Sequence, residues 1–429
     1  MASLRKYIFV FLFGCLFLPL IQSHLNLFKL TKLSGAYILS DDTTFTMDGW
    51  FSGKYQAHKE RYLRDTFGLR SFFIRMHNQI AYSLFKKVTA ADITFGKNGR
   101  LYNTNYLDAY SGKDFVGSQS IDVIMDKLKK VQDRLQEKNK TFLLVFAPSK
   151  DFYDPEFIPE GYDKNDSNNY AICLKIAKKK GINYIDFNGY FSSIRQRSKY
   201  PIYSTYGSHW SAYGACLAGD SIINRLEALR NTKILHSIWN NNIVNEEANG
   251  DELELENELN LLFSFKHENM AHPKITNPPD STKTKPNILI IGDSYIWGLG
   301  MHYNFFENFS TFIFCYYFKT IYISGHTGAI STAEFNLKDA LDKTDIVLIE
   351  ATVPGLRTFT WGFDEAAREA LQNDDELVEF KKKVSAMRIE LKNSADAMKL
   401  IVEKAKKNNI SVDSMLTNDA IWMVKYSKK

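Results

Sequence analysis

Ser294 directly follows an apolar run, and it is the residue of this sequence best placed to act as a nucleophile. Residues 288–291 are Ile-Leu-Ile-Ile, and Gly292, Asp293 and Ser294 come next. A short run of branched apolar residues predicts a buried strand, and a glycine lets the backbone turn sharply where the strand ends. A serine in that position can present its hydroxyl at the sheet edge, where it can attack a carbonyl carbon.

A histidine that could activate this serine lies 85 residues earlier, at position 209. A serine hydroxyl is not ionised at neutral pH, so it needs an adjacent base, and imidazole titrates in the right range. The sequence Tyr-Gly-Ser-His-Trp-Ser-Ala-Tyr-Gly-Ala at 206–215 places His209 in a loop just before a predicted helix. Trp210 is expected to pack beneath the imidazole. Each motif alone is a weak signal, but together they favour a Ser294–His209 pair.

The elements that must position these residues alternate between strands and helices. Strands are predicted at 141–147, 182–187, 288–291, 318–324 and 345–350, and helices at 121–138, 170–180 and 211–229. Asn98-Gly99 predicts a turn between two short strands. Alternation of this kind predicts an α/β fold with a mostly parallel sheet. Ligands bind at the carboxyl ends of such strands, where Ser294 and Pro148-Ser149-Lys150 would both lie.

Two segments depart from this alternation. Residues 231–286 are acidic at 246–258 and then rich in Pro, Lys, Asn and Thr, so they are interpreted as an insertion, and a short helix is predicted within it at 255–263. Residues 363–429 are helical in pattern, with one apolar face, and are interpreted as a C-terminal helical extension. The remaining residues from 31 to 362 would form the main domain.

The N-terminus has the pattern of an export signal. Arg5 and Lys6 precede an uncharged apolar run from Tyr7 to Ile21, and residues 1–30 are interpreted as a signal-anchor or signal peptide. An uncleaved anchor fits best, a cleaved peptide second, and a lipoprotein modified at Cys15 third. In each case the body of the protein is exported, to the periplasmic side of the inner membrane.

Composition excludes several other classes of protein. The net charge of +5 over 429 residues indicates neither a nucleic-acid groove nor a polybasic membrane patch. The four cysteines form no C-x-x-C pair and no disulfide framework is expected. No metal-ligand spacing occurs, so neither a metal nor another cofactor is predicted. Aromatic residues make up 14% of the chain, mostly as core side chains.

From Trp50 to about Arg357 the chain resembles the alginate and exopolysaccharide O-acetyltransferases of the AlgJ/AlgX type. The resemblance rests on Gly292-Asp293-Ser294, on His209-Trp210 with the residues that follow, and on Pro148-Ser149-Lys150. It implies an SGNH-hydrolase-like three-layer domain in which the histidine motif precedes the serine, the reverse of ordinary SGNH esterases.

The resemblance also implies a reaction. Ser294 would accept an acetyl group, delivered by a multi-spanning membrane acyltransferase, and His209 would assist its transfer to a hydroxyl of an exported polysaccharide. The Ser294 N–H would donate to the oxyanion. Supporting roles toward the oxyanion or the substrate are expected for other motif residues, namely Gly292, Asp293, Tyr295, Trp210, Ser208 and Lys150. An SGNH-type esterase or deacetylase and a non-catalytic glycan-binding protein remain as alternatives.

One position departs from the family pattern. The family commonly has Asp-x-His-Trp, and this sequence has Gly207 where the aspartate is expected. Either Ser294 and His209 act as a dyad, or another group, such as Thr205, Ser208 or a backbone carbonyl, orients the imidazole. Asp293 is expected to be a structural residue of the turn.

Overall fold

A seven-stranded sheet forms the centre of the protein. The computed structural model describes residues 2–35, 39–87, 90–372 and 374–426. Its strands are β1 Ile93–Phe95, β2 Leu101–Asn103, β3 Thr141–Phe146, β4 Tyr184–Asp186, β5 Ile243–Glu247, β6 Asn269–Pro273, β7 Ile288–Gly292, β8 Phe312–Tyr316, β9 Thr320–Ile323, β10 Ile330–Ser331 and β11 Ile346–Ala351. The strand order in the central sheet is β10-β9-β8-β7-β11-β3-β4.

Helices surround this sheet and extend from both ends of the chain. They are α1 Ala2–Cys15, α2 Leu18–Leu25, α3 Met47–Phe51, α4 Lys54–Thr66, α5 Arg70–Phe85, α6 Thr104–Tyr110, α7 Ser118–Glu137, α8 Lys150–Tyr153, α9 Asn169–Lys180, α10 Phe187–Ile194, α11 Ala212–Arg230, α12 Glu254–Leu259, α13 Tyr295–Tyr303, α14 Leu337–Lys343, α15 Phe363–Ala370, α16 Asp374–Asn393, α17 Ala395–Asn408 and α18 Val412–Tyr426.

The five central strands are parallel, which confirms the predicted α/β fold with a mostly parallel sheet. The strand predicted at 318–324 is shorter, as β9, and runs antiparallel to β8, which the sequence pattern did not identify. The short turn after Tyr316 explains the reversal, because parallel neighbours need a crossover of a dozen or more residues.

Both faces of the sheet are covered, giving three layers. Along β3, Leu143 and Val145 point into one core with α10, α11 and α13. Phe142, Leu144 and Phe146 point into the other core, with α7, α9 and α15. Strands buried on both faces read as continuous apolar runs, which is why these strands were predictable. Each of these fully buried side chains stabilises the fold by about 1.5–3 kcal/mol.

The insertion folds onto the edge of the domain that carries His209. It contains the antiparallel strand pair β5–β6, and between these strands a 3-10 turn, Gly250–Leu253, leads directly into α12. Helix α12 is shorter than the predicted 255–263 because Asn260 adopts a left-handed conformation and ends it. Its apolar residues Leu255 and Leu259 pack with the β1–β2 hairpin.

Helix α5 docks on the far end of α12. The side chain of Asn78 donates to the Leu259 carbonyl at 2.9 Å, and Arg75 donates to the Leu261 carbonyl at 2.9 Å. Asn260 exchanges two hydrogen bonds with the backbone of Ser34, at 2.8 and 3.0 Å. The chain that follows the N-terminal apolar segment is therefore fastened to the insertion.

The C-terminal region consists of helices in two different settings. Phe363 and Ala367 of α15 are buried in the main core. Helices α16, α17 and α18 share a small core of their own, which includes Leu391, Ile401 and Leu416. The predicted helical character of this region is confirmed by these four helices.

Candidate active site

Asp293 fixes the turn that presents Ser294 at the carboxyl end of β7. Its Oδ1 accepts a hydrogen bond from the Tyr295 N–H at 3.1 Å, in the first turn of α13. Its Oδ2 accepts from the N–H and the hydroxyl of Thr352, at 3.1 and 2.7 Å, just beyond β11. Asp293 therefore ties the serine turn to the neighbouring strand, as expected for a structural residue, and its carboxylate makes no bond to His209.

Gly292 is required by packing. Its φ is not positive, contrary to the expectation that glycine provides a sharp turn here. A Cβ at this position would lie 2.7 Å from Oε2 of Glu350. That oxygen accepts from the Asp293 N–H at 3.0 Å. Burial, with the nearby Asp293 carboxylate, raises the pKa of Glu350 well above its ordinary value, so a neutral acid lies beneath the serine turn.

The structure brings His209 and Ser294 together. The Nε2 of His209 lies 2.8 Å from the Ser294 Oγ. The loop before His209 is held by Tyr295, whose hydroxyl donates to the Ser208 carbonyl at 2.9 Å and whose ring centroid lies 4.8 Å from the imidazole. Trp210 packs on Tyr295 at 4.9 Å. The indole therefore supports the imidazole through the tyrosine ring.

Glu254 lies behind His209 and completes a serine–histidine–carboxylate relay. Its two oxygens lie 2.8 and 2.7 Å from the His209 Nδ1. It is the first residue of α12, so the carboxylate comes from the insertion. The Ser208 N–H donates to Glu254 at 2.9 Å, and the Ser208 hydroxyl donates to the same oxygen. Glu254 was not predicted from the sequence, which is why a Ser294–His209 dyad was one of the alternatives.

The other groups considered for orienting the imidazole have different partners. Thr205 donates from its hydroxyl to Glu268 at 2.7 Å, and Ser208 holds Glu254. Gly207 leaves no room for a side chain, since a Cβ there would lie 2.8 and 3.0 Å from the carbonyls of Asp251 and Glu252. The backbone that delivers Glu254 thus occupies the place of an aspartate side chain at 207.

The electrostatic surroundings favour a protonated His209 paired with a charged Glu254. Burial opposes protonation of the imidazole, but the Glu254 carboxylate, with Asp293 and Asp251 nearby, outweighs burial and raises the pKa of His209. Burial also favours neutral Glu254, yet its bonds with His209 and Ser208 hold the pKa of that carboxyl below its ordinary value. A proton taken from Ser294 is therefore stabilised on His209.

Lys150 has a structural position, not the substrate-facing one expected from its strand end. It is buried, with 3% of its surface exposed. Its Nζ donates to the carbonyls of Leu101, Thr205 and Gly207, at 2.9, 2.8 and 2.9 Å. Burial lowers the pKa of Lys150 well below its ordinary value. The Lys150 amino group joins β2 to the loop that carries His209, so Lys150 is a positioning residue.

Ser294 and His209 open into a cleft of about 310 Å³. Its lining residues are Asn103, Asn105, Tyr106, Ser208, His209, Asp293, Ser294, Tyr317, Thr352, Pro354, Gly355, Thr358 and Trp361. Of the expected supporting residues, Ser208 and Asp293 line the cleft, whereas Trp210, Tyr295, Gly292 and Lys150 lie beneath or beside it. The backbone N–H of Ser294 has no hydrogen-bond partner within the described ranges, which leaves it available to an oxyanion.

Two further histidines, His302 and His326, follow Ser294 in the sequence but do not line the cleft. His302 faces Asp251, with Nε2 3.5 Å from its carboxylate, and His326 is exposed. Three glutamates of the insertion each meet a histidine, since Glu252 contacts His272 and Glu256 contacts His267 as Glu254 contacts His209. The only sequence signal for Glu254 was its place in the acidic run at 246–258. The spacing of the glutamates in that run does not distinguish Glu254 from its neighbours.

Comparison with known proteins places this site in a family. The family model described as SGNH hydrolase-like domain, acetyltransferase AlgX, matches residues 93–311, slightly more than half of the chain. Comparison with curated proteins finds no matching relative.

Among solved structures, similar chains include the O-acetyltransferase domain of Pseudomonas putida AlgJ, with 16% identity over 65% of this chain and 99% of that one, and a TM-score of 0.43. Pseudomonas aeruginosa AlgX has 14% identity over 65% and 66%, with a TM-score of 0.44. Bacillus cereus PatB1 has 12% identity over 62% and 97%, with a TM-score of 0.40. The family match confirms the resemblance drawn from the sequence motifs, and the chain belongs to the AlgX family of SGNH hydrolase-like acetyltransferases.

Proposed function

We propose that this protein is an O-acetyltransferase that moves an acetyl group through an acetyl-Ser294 intermediate onto a hydroxyl of an exported polysaccharide. The observation that supports it is the relay Ser294–His209–Glu254 within a domain of an acetyltransferase family. A non-catalytic role had its main support in the absent aspartate, and Glu254 removes that support.

The proposed reaction has two balanced steps. Ser294 Oγ attacks the donor's acetyl carbonyl carbon while His209 Nε2 takes its proton, and the departing group then receives that proton. In the second step a sugar hydroxyl gives its proton to Nε2 and attacks the acetyl-serine, and Ser294 leaves with the proton restored. Glu254 holds the imidazole with Nδ1–H toward it and stabilises the imidazolium. The Ser294 N–H donates to the oxyanion in both steps.

The acceptor distinguishes this function from that of an esterase or deacetylase with the same relay. When the full-length protein is incubated with p-nitrophenyl acetate and a hexose polysaccharide, we expect acetyl ester on the polymer, because the sugar hydroxyl competes with water for acetyl-Ser294. The measurement is NMR of the recovered polymer beside assay of free acetate. Free acetate alone, or loss of acetyl groups from a pre-acetylated polymer, would contradict transferase activity and favour the esterase.

We propose that the N-terminal segment anchors the domain to the outer face of the cytoplasmic membrane. Residues Leu4–Leu25 are long and apolar enough to cross a bilayer, and little of this stretch is buried. Its end packs directly on the turn between α4 and α5, where a Cβ on Gly68 would lie 2.3 Å from the Pro19 carbonyl. Anchoring there would place the cleft near a membrane acyltransferase that supplies acetyl groups from the cytoplasm.

Anchoring predicts a simple fractionation result. The full-length protein is expected to stay with the membrane after extraction at alkaline pH, because a spanning apolar helix is not released by loss of ionic contacts. The measurement is the share of protein in the pellet, with a variant carrying Phe11→Lys and Leu16→Lys as control. A wild-type protein that appears in the soluble fraction with a shortened N-terminus would instead show signal cleavage.

A further inference from the structure

Two turns at the mouth of the cleft have side chains that fit their backbone poorly. In the described part of the chain, twelve residues other than glycine have positive φ, and seven of them are asparagines. Asparagine tolerates the left-handed region because its short side chain bonds locally, whereas bulky and β-branched residues do not. The exceptions besides Lys86 are two adjacent pairs, Tyr317-Phe318 and Thr360-Trp361.

The first pair forms the turn between β8 and β9. Tyr317 has φ of 51° and Phe318 has φ of 49°, and the Lys319 N–H donates to the Tyr316 carbonyl at 3.0 Å. Turns with two left-handed central residues strongly prefer Asn-Gly. This turn has two aromatic residues instead.

The second pair lies in the segment that follows β11. Thr360 has φ of 70° and Trp361 has φ of 50°. The two turns face each other, since the ring centroids of Tyr317 and Trp361 lie 5.4 Å apart with their planes at 75°. Both rings line the cleft with Ser294.

In each pair, one residue contacts helix α15 and the other lines the cleft. Phe318 packs on Phe363, with ring centroids 5.5 Å apart, and Thr360 is buried and donates its hydroxyl to Asp364. These contacts hold the turns in place. Tyr317 and Trp361 are half-buried, as is Phe318, but only Tyr317 and Trp361 line the cleft. Strained conformations that persist beside a reactive group point to a functional demand on the side chain.

We propose that Tyr317 and Trp361 form an aromatic subsite that holds an uncharged pyranose ring of the acceptor beside Ser294; this inference rests on the proposed function. The apolar face of a pyranose packs on aromatic rings, and two rings set nearly at right angles offer a corner for it. The amides of Asn103 and Asn105 and the Thr358 hydroxyl lie around the same cleft to bond sugar hydroxyls. None of the described residues that line it is Lys or Arg, so no fixed cation pairs with a uronate.

The strain supplies a test that separates a binding role from a structural one. In the variants Tyr317→Asn and Trp361→Asn, asparagine suits the left-handed backbone while the ring is lost. We expect an unchanged or higher unfolding temperature together with at least tenfold weaker binding of neutral hexose oligosaccharides. The measurements are thermal unfolding and calorimetric titration with cellohexaose and mannohexaose, with oligoguluronate as the charged comparison. Phe263→Asn, which removes an exposed ring elsewhere, should change neither.

Other outcomes would overturn the subsite. These are oligosaccharide affinity unchanged in both variants, a marked fall in unfolding temperature, equal or tighter binding of oligoguluronate, or no binding of any of these probes to the wild type. The burst of p-nitrophenol from p-nitrophenyl acetate reports Ser294 independently; it is measured in the wild type and in Phe263→Asn, where it should be the same. A wild type that binds hexose through these rings but shows no burst would refute the proposed function and leave the subsite standing.

Discussion

Ser294→Ala is expected to abolish acetyl-enzyme formation and to lower acetyl transfer by roughly four to six orders of magnitude. The alanine removes the Oγ that lies 2.8 Å from His209 Nε2, and no other described hydroxyl reaches that nitrogen. The fold should be unaffected, because the turn is held by Asp293 and Glu350. Intact-protein mass spectrometry after incubation with p-nitrophenyl acetate checks the result: the wild type should gain one acetyl group and Ser294→Ala none.

Ser294→Cys is the matched control for this change. A thiolate next to His209 is itself a nucleophile, so this variant should still gain an acetyl group, as a thioester that hydroxylamine removes. Equal thermal unfolding of the two variants would show that the alanine acts through chemistry. An acetyl group found on Ser294→Ala, at the rate seen in the wild type, would mean that another residue carries it.

Glu254→Gln is expected to slow acetyl-enzyme formation by roughly 10²- to 10⁴-fold. The amide no longer stabilises the imidazolium, and it can favour the wrong tautomer by donating to Nδ1. The pH profile should move as well. The base must be neutral to act, and Glu254 raises the pKa of His209, so the wild-type rate should rise with pH through a value above that of ordinary imidazole.

Without the carboxylate, burial is left as the main influence and lowers the pKa of His209, so the acid limb of the profile should shift to lower pH at a reduced plateau. The measurement is the burst rate of p-nitrophenol against pH in both proteins. An acid limb unchanged in Glu254→Gln would contradict the assignment, whatever the loss of rate.

An aspartate at 207 should not restore activity to Glu254→Ala. The expected position of its Cβ is already within 3.0 Å of Asp251 and Glu252 carbonyls, so Gly207→Asp should displace the insertion and lower the unfolding temperature. If Gly207→Asp restored the p-nitrophenol burst to Glu254→Ala, the result would show that the insertion can move aside to admit the aspartate side chain.

The nucleophile and the base could be predicted from sequence because each depends on local patterns. Ser294 ends a buried strand, and His209 comes just before a helix whose cap, Ser211, is itself visible in the sequence. Parallel strands then bring such ends to one edge. Glu254 could not be predicted, since it reaches the site through a long insertion whose path depends on tertiary packing.

Three other predictions, for Lys150, β9 and Gly292, differ from the structure for a similar reason. Lys150 was placed correctly at a strand end, but only the surrounding carbonyls show that its amino group points inward. The strand β9 kept its apolar pattern, yet its direction depends on a turn, Tyr317-Phe318, that lacks the usual asparagine or glycine. Gly292 was recognised, but its reason lies in Glu350 on the adjacent strand.

The fastening of α5 to the insertion has a practical consequence for preparing this protein without its membrane segment. Asn78 and Arg75 hold the carbonyls at one end of α12, Ser34 holds Asn260, and Glu254 begins the same helix. A soluble form that starts near residue 90 would keep the serine and the histidine while leaving the helix that orients them without its outer support. The cut belongs between Leu25 and Lys32, where the apolar stretch has ended. It loses the packing of Pro19 on Gly68 but keeps the hydrogen bonds of Lys32 and Ser34.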